Sequence, residues 1–107
     1  MKFDAYRVAL DMIRSLRNVI TKIRTKNASL AKQIEAAAPS VPLNLNEGRR
    51  RMGKDRRYHY SVAAGSADEV RACLDVAEAW GYVTEKEIAP AQANLYRILA
   101  MTWRMTH

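Results

Sequence analysis

Apolar residues recur along the chain at gaps of three and four, and the pattern resolves into four helices. Ala5, Ala9, Met12, Leu16, Val19 and Ile23 form the first stripe, with Val8, Ile13 and Ile20 on its flanks. Alternating gaps keep one face turned toward a partner, as in a bundle or coiled-coil helix. Arg7, Arg14, Arg17 and Arg24 fall on the other side and read as a solvated face. Thr25 to Ser29 is a short connection, with Asn27 or Ser29 as N-cap of the second helix. Short links of this kind join antiparallel neighbours.

The second stripe, Leu30, Ile34, Ala37, Val41 and Leu45, runs straight through Pro39 and Pro42. A proline removes a backbone donor and clashes with the preceding turn. The pattern therefore predicts one helix over about 29–47, kinked at Pro39 and Pro42, rather than two. Gly48 is placed to end it in the left-handed conformation. Glu47, in the last turn, faces the negative end of the helix dipole and should pair with a nearby arginine.

A third helix should begin near Lys54 or Asp55, with Gly53 leaving the link before it flexible. Its inward face reads Tyr58, Val62, Ser66, Val70 (or Glu69), Cys73, Ala77 and Trp80, closed by Gly81. Gly65 inside it costs about 1 kcal/mol relative to Ala. With Ala63, Ala64, Ser66 and Ala67 around it, the expected gain is close approach of a neighbouring helix. Glu69, one turn after Ser66, needs a hydrogen-bonded partner, expected on the second helix at Ser40 and Asn44.

Thr84 caps the last helix, and Glu87 three residues on completes a capping box. Ile88, Gln92, Leu95, Leu99 and Thr102 make one face, while Tyr96, Ile98, Met101, Trp103 and Met105 lie largely off it. A helix apolar on more than one face is covered on more than one side. In so small a protein the expected cover is another copy, through Tyr96, Met101, Trp103 and Met105. The expected fold is thus all-α, an antiparallel up-down four-helix bundle in a single domain over 1–107 that assembles as a homo-oligomer.

Composition agrees. With 107 residues, 49% apolar and 27% charged, and only four Gly and three Pro, the chain has the makings of one modest helical core. The single Cys73 excludes an intramolecular disulfide. Charges at Asp4, Arg7, Asp11 and Arg14 interrupt any signal-peptide core, and no apolar run reaches the length of a membrane span. The expected location is cytoplasmic, with no membrane as partner. Charge changes the picture more. Residues 1–57 hold 14 Lys/Arg against 5 Asp/Glu, whereas residues 58–107 hold 4 against 6, so a net +7 divides into +9 and −2. Such polarity makes an electropositive side, with nucleic acid as the first partner to consider and an acidic protein next.

Candidate catalytic chemistry is sparse. Di-iron bundles need paired Glu-x-x-His motifs, and His59 is preceded at that spacing by Arg56 while His107 ends the sequence. No Cys/His set has zinc spacing. The glycines at 48 and 53 lack the Gly-Lys-Ser/Thr ending of a phosphate loop. Ser66 beside Gly65 lacks the G-x-S-x-G elbow, and no nucleophile has a base partner. His59 reads as an outward helix residue. The expectation is no enzyme, no metal and no cofactor.

Three runs carry a further signal: Ser40-Val41-Pro42-x-Asn44-x-x-Glu47-Gly48, then Ala63-x-Gly65-Ser66-x-x-Glu69, then Leu74-x-x-Ala77 with Gly81-Tyr82. In order and spacing they resemble the four-helix-bundle family of 23S rRNA intervening-sequence proteins, whose genes lie within insertions in bacterial 23S rRNA genes or elsewhere on the chromosome. The resemblance implies an antiparallel four-helix bundle. It implies structural roles for Ser40, Pro42, Asn44, Glu47, Gly48, Gly65, Ser66 and Glu69. More distantly, the chain resembles the accessory proteins of diversity-generating retroelements, which implies a pentamer with a basic surface. Asn46 stands where the family commonly has Ala, and Pro39 adds a second proline before the motif.

The leading reading of function rests on Arg49, Arg50, Arg51, Lys54, Arg56 and Arg57, six cations in nine residues. Phosphate contacts there would bind RNA with little sequence preference. Tyr58 falls on the core stripe, leaving Tyr60 and His59 as candidates to stack on an unpaired base. Contact with about five phosphates would give a slope of log K against log salt near −3.5 for single strands. The alternative is an oligomeric scaffold for an acidic protein partner, with nucleic acid secondary.

Overall fold

The computed structural model describes residues 4–107; Met1, Lys2 and Phe3, the head of the N-terminal stretch read above, lie outside it. Four helices follow one another: α1 (Asp4–Lys26), α2 (Ala28–Arg49), α3 (Gly53–Ala79) and α4 (Glu85–Thr106). At 1.5 Å per residue the 27-residue α3 spans about 40 Å, close to the 42 Å long axis of the molecule. The other three helices, of 22 or 23 residues, span about 33–35 Å. Side-chain pairs record how they lie: Arg24 meets Glu35, Ser40 meets Ser66, Asp75 meets Gln92, and Lys22 meets Glu87. In three of these pairs a position late on one helix faces a position early on the other, and Ser40 and Ser66 meet mid-helix, so packed neighbours run antiparallel. The links of one, three and five residues leave no other course.

The first two stripes are buried as their spacing predicts, from Ala5 through Ile23 on α1 and from Leu30 through Leu45 on α2. Asn27 caps α2, its side-chain oxygen accepting from the Leu30 amide at 2.9 Å. Both prolines lie inside one continuous helix, Pro42 buried and Pro39 exposed. Helix α2 does not stop at Gly48. It runs on to Arg49, and Gly48 is buried and helical. A Cβ at Gly48 would lie 2.7 Å from Cε1 of Tyr60, so this glycine exists to admit a ring rather than to turn the chain. The positive φ values belong to Gly53 (58°) and Gly81 (78°). Gly81 ends α3 with Tyr82 N–H on Ala77 C=O and its own N–H on Glu78 C=O, the Schellman arrangement.

Helix α3 is rotated from the face predicted for it. Tyr60, Ala63, Ala67, Val70, Cys73, Leu74 and Ala77 are buried, whereas Tyr58 and Trp80 stand in solvent and Val62 and Ser66 are half-buried. The cause is the small side chains. Ala63 and Ala67 are fully buried and small enough to let α3 sit close on its neighbours, and Tyr60 fills the space above Gly48 of α2. Gly65, expected at that close approach, is exposed with nothing within 4 Å of a Cβ built on it. On α4 the capping box is present. Ile98, placed off the core by its spacing, is fully buried along with Ala91, while Gln92 and Leu99 are half-buried. Thr102 is buried without penalty because its hydroxyl donates to Ile98 C=O at 2.8 Å.

Candidate nucleic-acid interface

The link between α2 and α3 is only Arg50, Arg51 and Met52, so the last turn of one helix and the first turns of the next are held against each other. This end of the bundle carries all six cations picked out from the sequence, and all six are exposed. They do not play one role. Arg56 folds back over the end of α2. Its Nε donates to Arg51 C=O at 2.8 Å and Gly48 C=O at 3.2 Å, and Nη2 donates to Arg49 C=O at 3.2 Å. A helix C-terminus leaves carbonyls unpaired and partly negative, and a guanidinium laid across them satisfies both deficits. Arg51 is also engaged: its Nε donates to Glu47 Oε2 at 2.7 Å. That hydrogen bond, then the Arg51 charge, holds the Glu47 carboxyl below the ordinary carboxylate range, with His59 and Arg50 adding to it. The pairing foreseen for Glu47 is thus present.

Arg49 donates to Asn46 Oδ1 at 3.2 Å. Arg50 feels Glu47 only through its charge. Lys54 and Arg57 make no hydrogen bond or ion pair among the described residues. The predicted cluster therefore divides into Arg56 and Arg51, which hold the junction together, Arg49, which is tied to Asn46, and Arg50, Lys54 and Arg57, which project from it.

Behind the cations a chain of polar groups crosses the α2–α3 interface. Asn44 Nδ2 donates to Ser40 C=O at 2.9 Å and Ser40 Oγ at 3.0 Å, and Ser66 Oγ donates to Ser40 Oγ at 2.8 Å. Asn44 Oδ1 lies 3.0 Å from His59 Nδ1. A carbonyl can only accept, so the amide nitrogen of Asn44 must face Ser40 and its oxygen must face His59. His59 Nδ1 consequently carries the proton and donates. This corrects the reading of His59 as an outward residue: it is half-buried and anchored. Glu69 does not join Ser40 and Asn44. It is exposed, and its charge acts on Cys73, whose thiol is pushed up first by burial and then by Glu69.

The stacking candidates also change places. Tyr60 is 6% exposed and belongs to the core, while Tyr58 is 64% exposed and stands beside His59 with ring centroids 5.2 Å apart in an edge-on arrangement. Periodicity missed this because it credited the bulky Val62 over Ala63 in setting the register. On α4, Tyr96 and Trp103 are in solvent, Trp103 stacked on His107 at 3.4 Å, whereas Met101 and Met105 are half-buried against the chain's own core. Among the described residues no three His, Cys, Asp or Glu side chains group as a metal site, and no helix is long and apolar enough to cross a membrane.

Comparison with known proteins matches this architecture. A crystal structure from Bacteroides thetaiotaomicron, a protein of unknown function from the S23 ribosomal protein family, superposes with a TM-score of 0.83 at 16% identity. The match covers 95% of this chain and 97% of that one, so the whole bundle is shared. No curated protein matches in sequence. The family model for the 23S rRNA-intervening sequence protein matches residues 1–104, spanning all four helices and the α2–α3 junction. The chain therefore belongs to the 23S rRNA-intervening sequence protein family.

Proposed function

We propose that this is a non-enzymatic, cytoplasmic, self-associating bundle that binds RNA through the α2–α3 junction. The observation that carries the reading is that Arg50, Lys54 and Arg57 project from a rigid junction without a hydrogen-bonded partner. Exposed cations on a fixed frame meet phosphates with little ordering cost, and counterion release supplies the affinity.

Because Arg51 and Arg56 are committed within the chain, the contact is smaller than six cations suggest. Three phosphates per chain give a slope of log K against log salt near −2 for single strands. Fluorescence anisotropy with labelled RNA across a salt series measures it. Changing Arg50, Lys54 and Arg57 together to Ala should take the slope close to zero. No binding at ~50 mM salt with the helices intact removes the RNA reading and leaves an acidic protein as the partner for the same charges.

Self-association has its own support. Tyr96 is 65% and Trp103 61% exposed on one helix, more aromatic surface than a solvated helix needs. A pentamer is the assembly we assign by resemblance. Light scattering should report several chains per particle, and Trp103→Glu should lower that number.

A further inference from the structure

Lys54, Arg57 and Tyr58 are spaced i, i+3 and i+4 on α3, which puts them on one patch of helix surface. All three are exposed and none has a hydrogen-bonded partner among the described residues. His59 meets the ring of Tyr58 edge-on and is itself tied to Asn44, which is tied to Ser40. The polar chain across the α2–α3 interface thus ends at an aromatic ring that stands in water, with Lys54 one turn before it and Asp55 as its i−3 neighbour. With Tyr60 filling the core above Gly48, position 58 lies about 200° round the helix and faces solvent. Beyond it on the same stripe come Ser61 and Gly65, both exposed, with open space above Gly65.

We infer that Lys54, Arg57 and Tyr58 form a single-strand nucleotide clamp, with an unpaired base stacked on Tyr58 and the flanking phosphates on Lys54 and Arg57. The inference rests on the RNA-binding reading and narrows it to single-stranded or looped RNA. In an A-form duplex every base is already stacked and only phosphates and 2′-hydroxyls are offered, so a projecting ring gains nothing there. An unpaired base has a free π-face, and a pre-positioned aromatic beside cations is the sequence-tolerant way to hold it. Small residues beyond the ring leave clearance for the strand.

The test is anisotropy with a labelled oligouridylate and with its duplex with oligoadenylate, on wild type, Tyr58→Ala and Tyr58→Phe. Tyr58 is exposed, so both variants should keep the wild-type melting temperature. Tyr58→Ala should weaken single-strand binding by about 5- to 150-fold, the effect of losing one stacked base, and leave duplex binding within about twofold. Tyr58→Phe should retain single-strand binding, because the ring and not the hydroxyl does the stacking. Single-strand affinity unchanged in Tyr58→Ala, or equal losses on both substrates, would overturn the clamp while the salt slope still supported phosphate binding. If wild type binds neither substrate, the RNA reading itself falls and the clamp with it.

Discussion

Two glycines offer the sharpest test of the packing, because the same substitution should move stability in opposite directions. At Gly48 an added methyl would lie 2.7 and 2.8 Å from ring atoms of Tyr60 and 3.2 Å from Cβ of His59. Comfortable carbon contacts are about 3.5–4.0 Å, and Tyr60 is buried. Overpacking of this kind costs about 1–3 kcal/mol. Replacing a helical glycine returns about 1 kcal/mol, so the net loss for Gly48→Ala should be about 1 kcal/mol. Gly65 is helical too, but open space surrounds it. Gly65→Ala should gain about 0.5–1 kcal/mol, partly by restricting the unfolded chain. At roughly 4–8 °C per kcal/mol for a domain of this size, the two variants should melt roughly 10 °C apart. Urea titration should show shifted midpoints with unchanged m-values. A Tyr60→Leu background should shrink the Gly48→Ala loss by more than about 0.5 kcal/mol, since the two positions touch. If Gly48→Ala is as stable as wild type, or melts above Gly65→Ala, the proposed seating of Tyr60 on Gly48 is wrong.

Other consequences can be measured alongside. Arg56→Ala should lower stability by about 1 kcal/mol through the lost carbonyl cap, whereas Arg57→Ala should stay within about 0.5 kcal/mol; equal effects in thermal melts would contradict the division of the cluster. Glu47 and Glu87 are held below the ordinary carboxylate range, Glu47 chiefly by the Arg51 hydrogen bond and Glu87 chiefly by Lys22. Their stabilisation is present above the unfolded value near 4.5 and is lost as pH falls through the lower folded values. The melting-temperature gap between wild type and Glu47→Gln or Glu87→Gln should therefore close on acidification, and a gap that persists in acid would refute it. Cys73 is buried and its thiol is pushed up, so iodoacetamide should label it far more slowly in the native protein than in urea; comparable rates would mean α3 opens readily.

What the sequence revealed depended on side-chain size. Leu, Ile, Val and Met at regular gaps mark α1 and most of α2 unambiguously, and the capping box at Thr84 and the closing glycine at 81 are equally plain. Helix α3 departs from its predicted face at Ala63 and Ala67, where the buried residues are alanines. Ala63 and Ala67 matter for the backbone approach they permit, not for the area they bury, and an apolar-periodicity argument has no means of weighing that. The same blindness exchanged the roles of Gly48 and Gly65, since a helical glycine gives no local sign of which helix faces it. In the junction, charge count was legible but commitment was not. That Arg56 reaches the carbonyls of residues 48, 49 and 51 follows from a three-residue link and the rotation of α3, neither of which can be read from composition.

The junction also sets a relation between folding and binding that neither property alone would show. Six cations in nine residues, opposed there only by Asp55, repel one another, and two unit charges at 4 Å in water cost about 1 kcal/mol. Arg51 and Arg56 escape most of this through Glu47 and the α2 carbonyls, leaving Arg50, Lys54 and Arg57 to bear it in solvent. Salt screens exposed charges over about 10 Å at 0.1 M, so it should relieve that repulsion and raise the melting temperature. The same salt competes with phosphates and weakens RNA. Stability and affinity should therefore move in opposite directions along one salt series. The exposed ion pairs, such as Asp11 with Arg14, are screened too and oppose the rise, but each contributes little. Arg50, Lys54 and Arg57 changed together to Ala should abolish both trends. A wild-type melting temperature that falls with added salt would mean that the three cations are neutralised within the assembly, and they would then be unavailable to any phosphate.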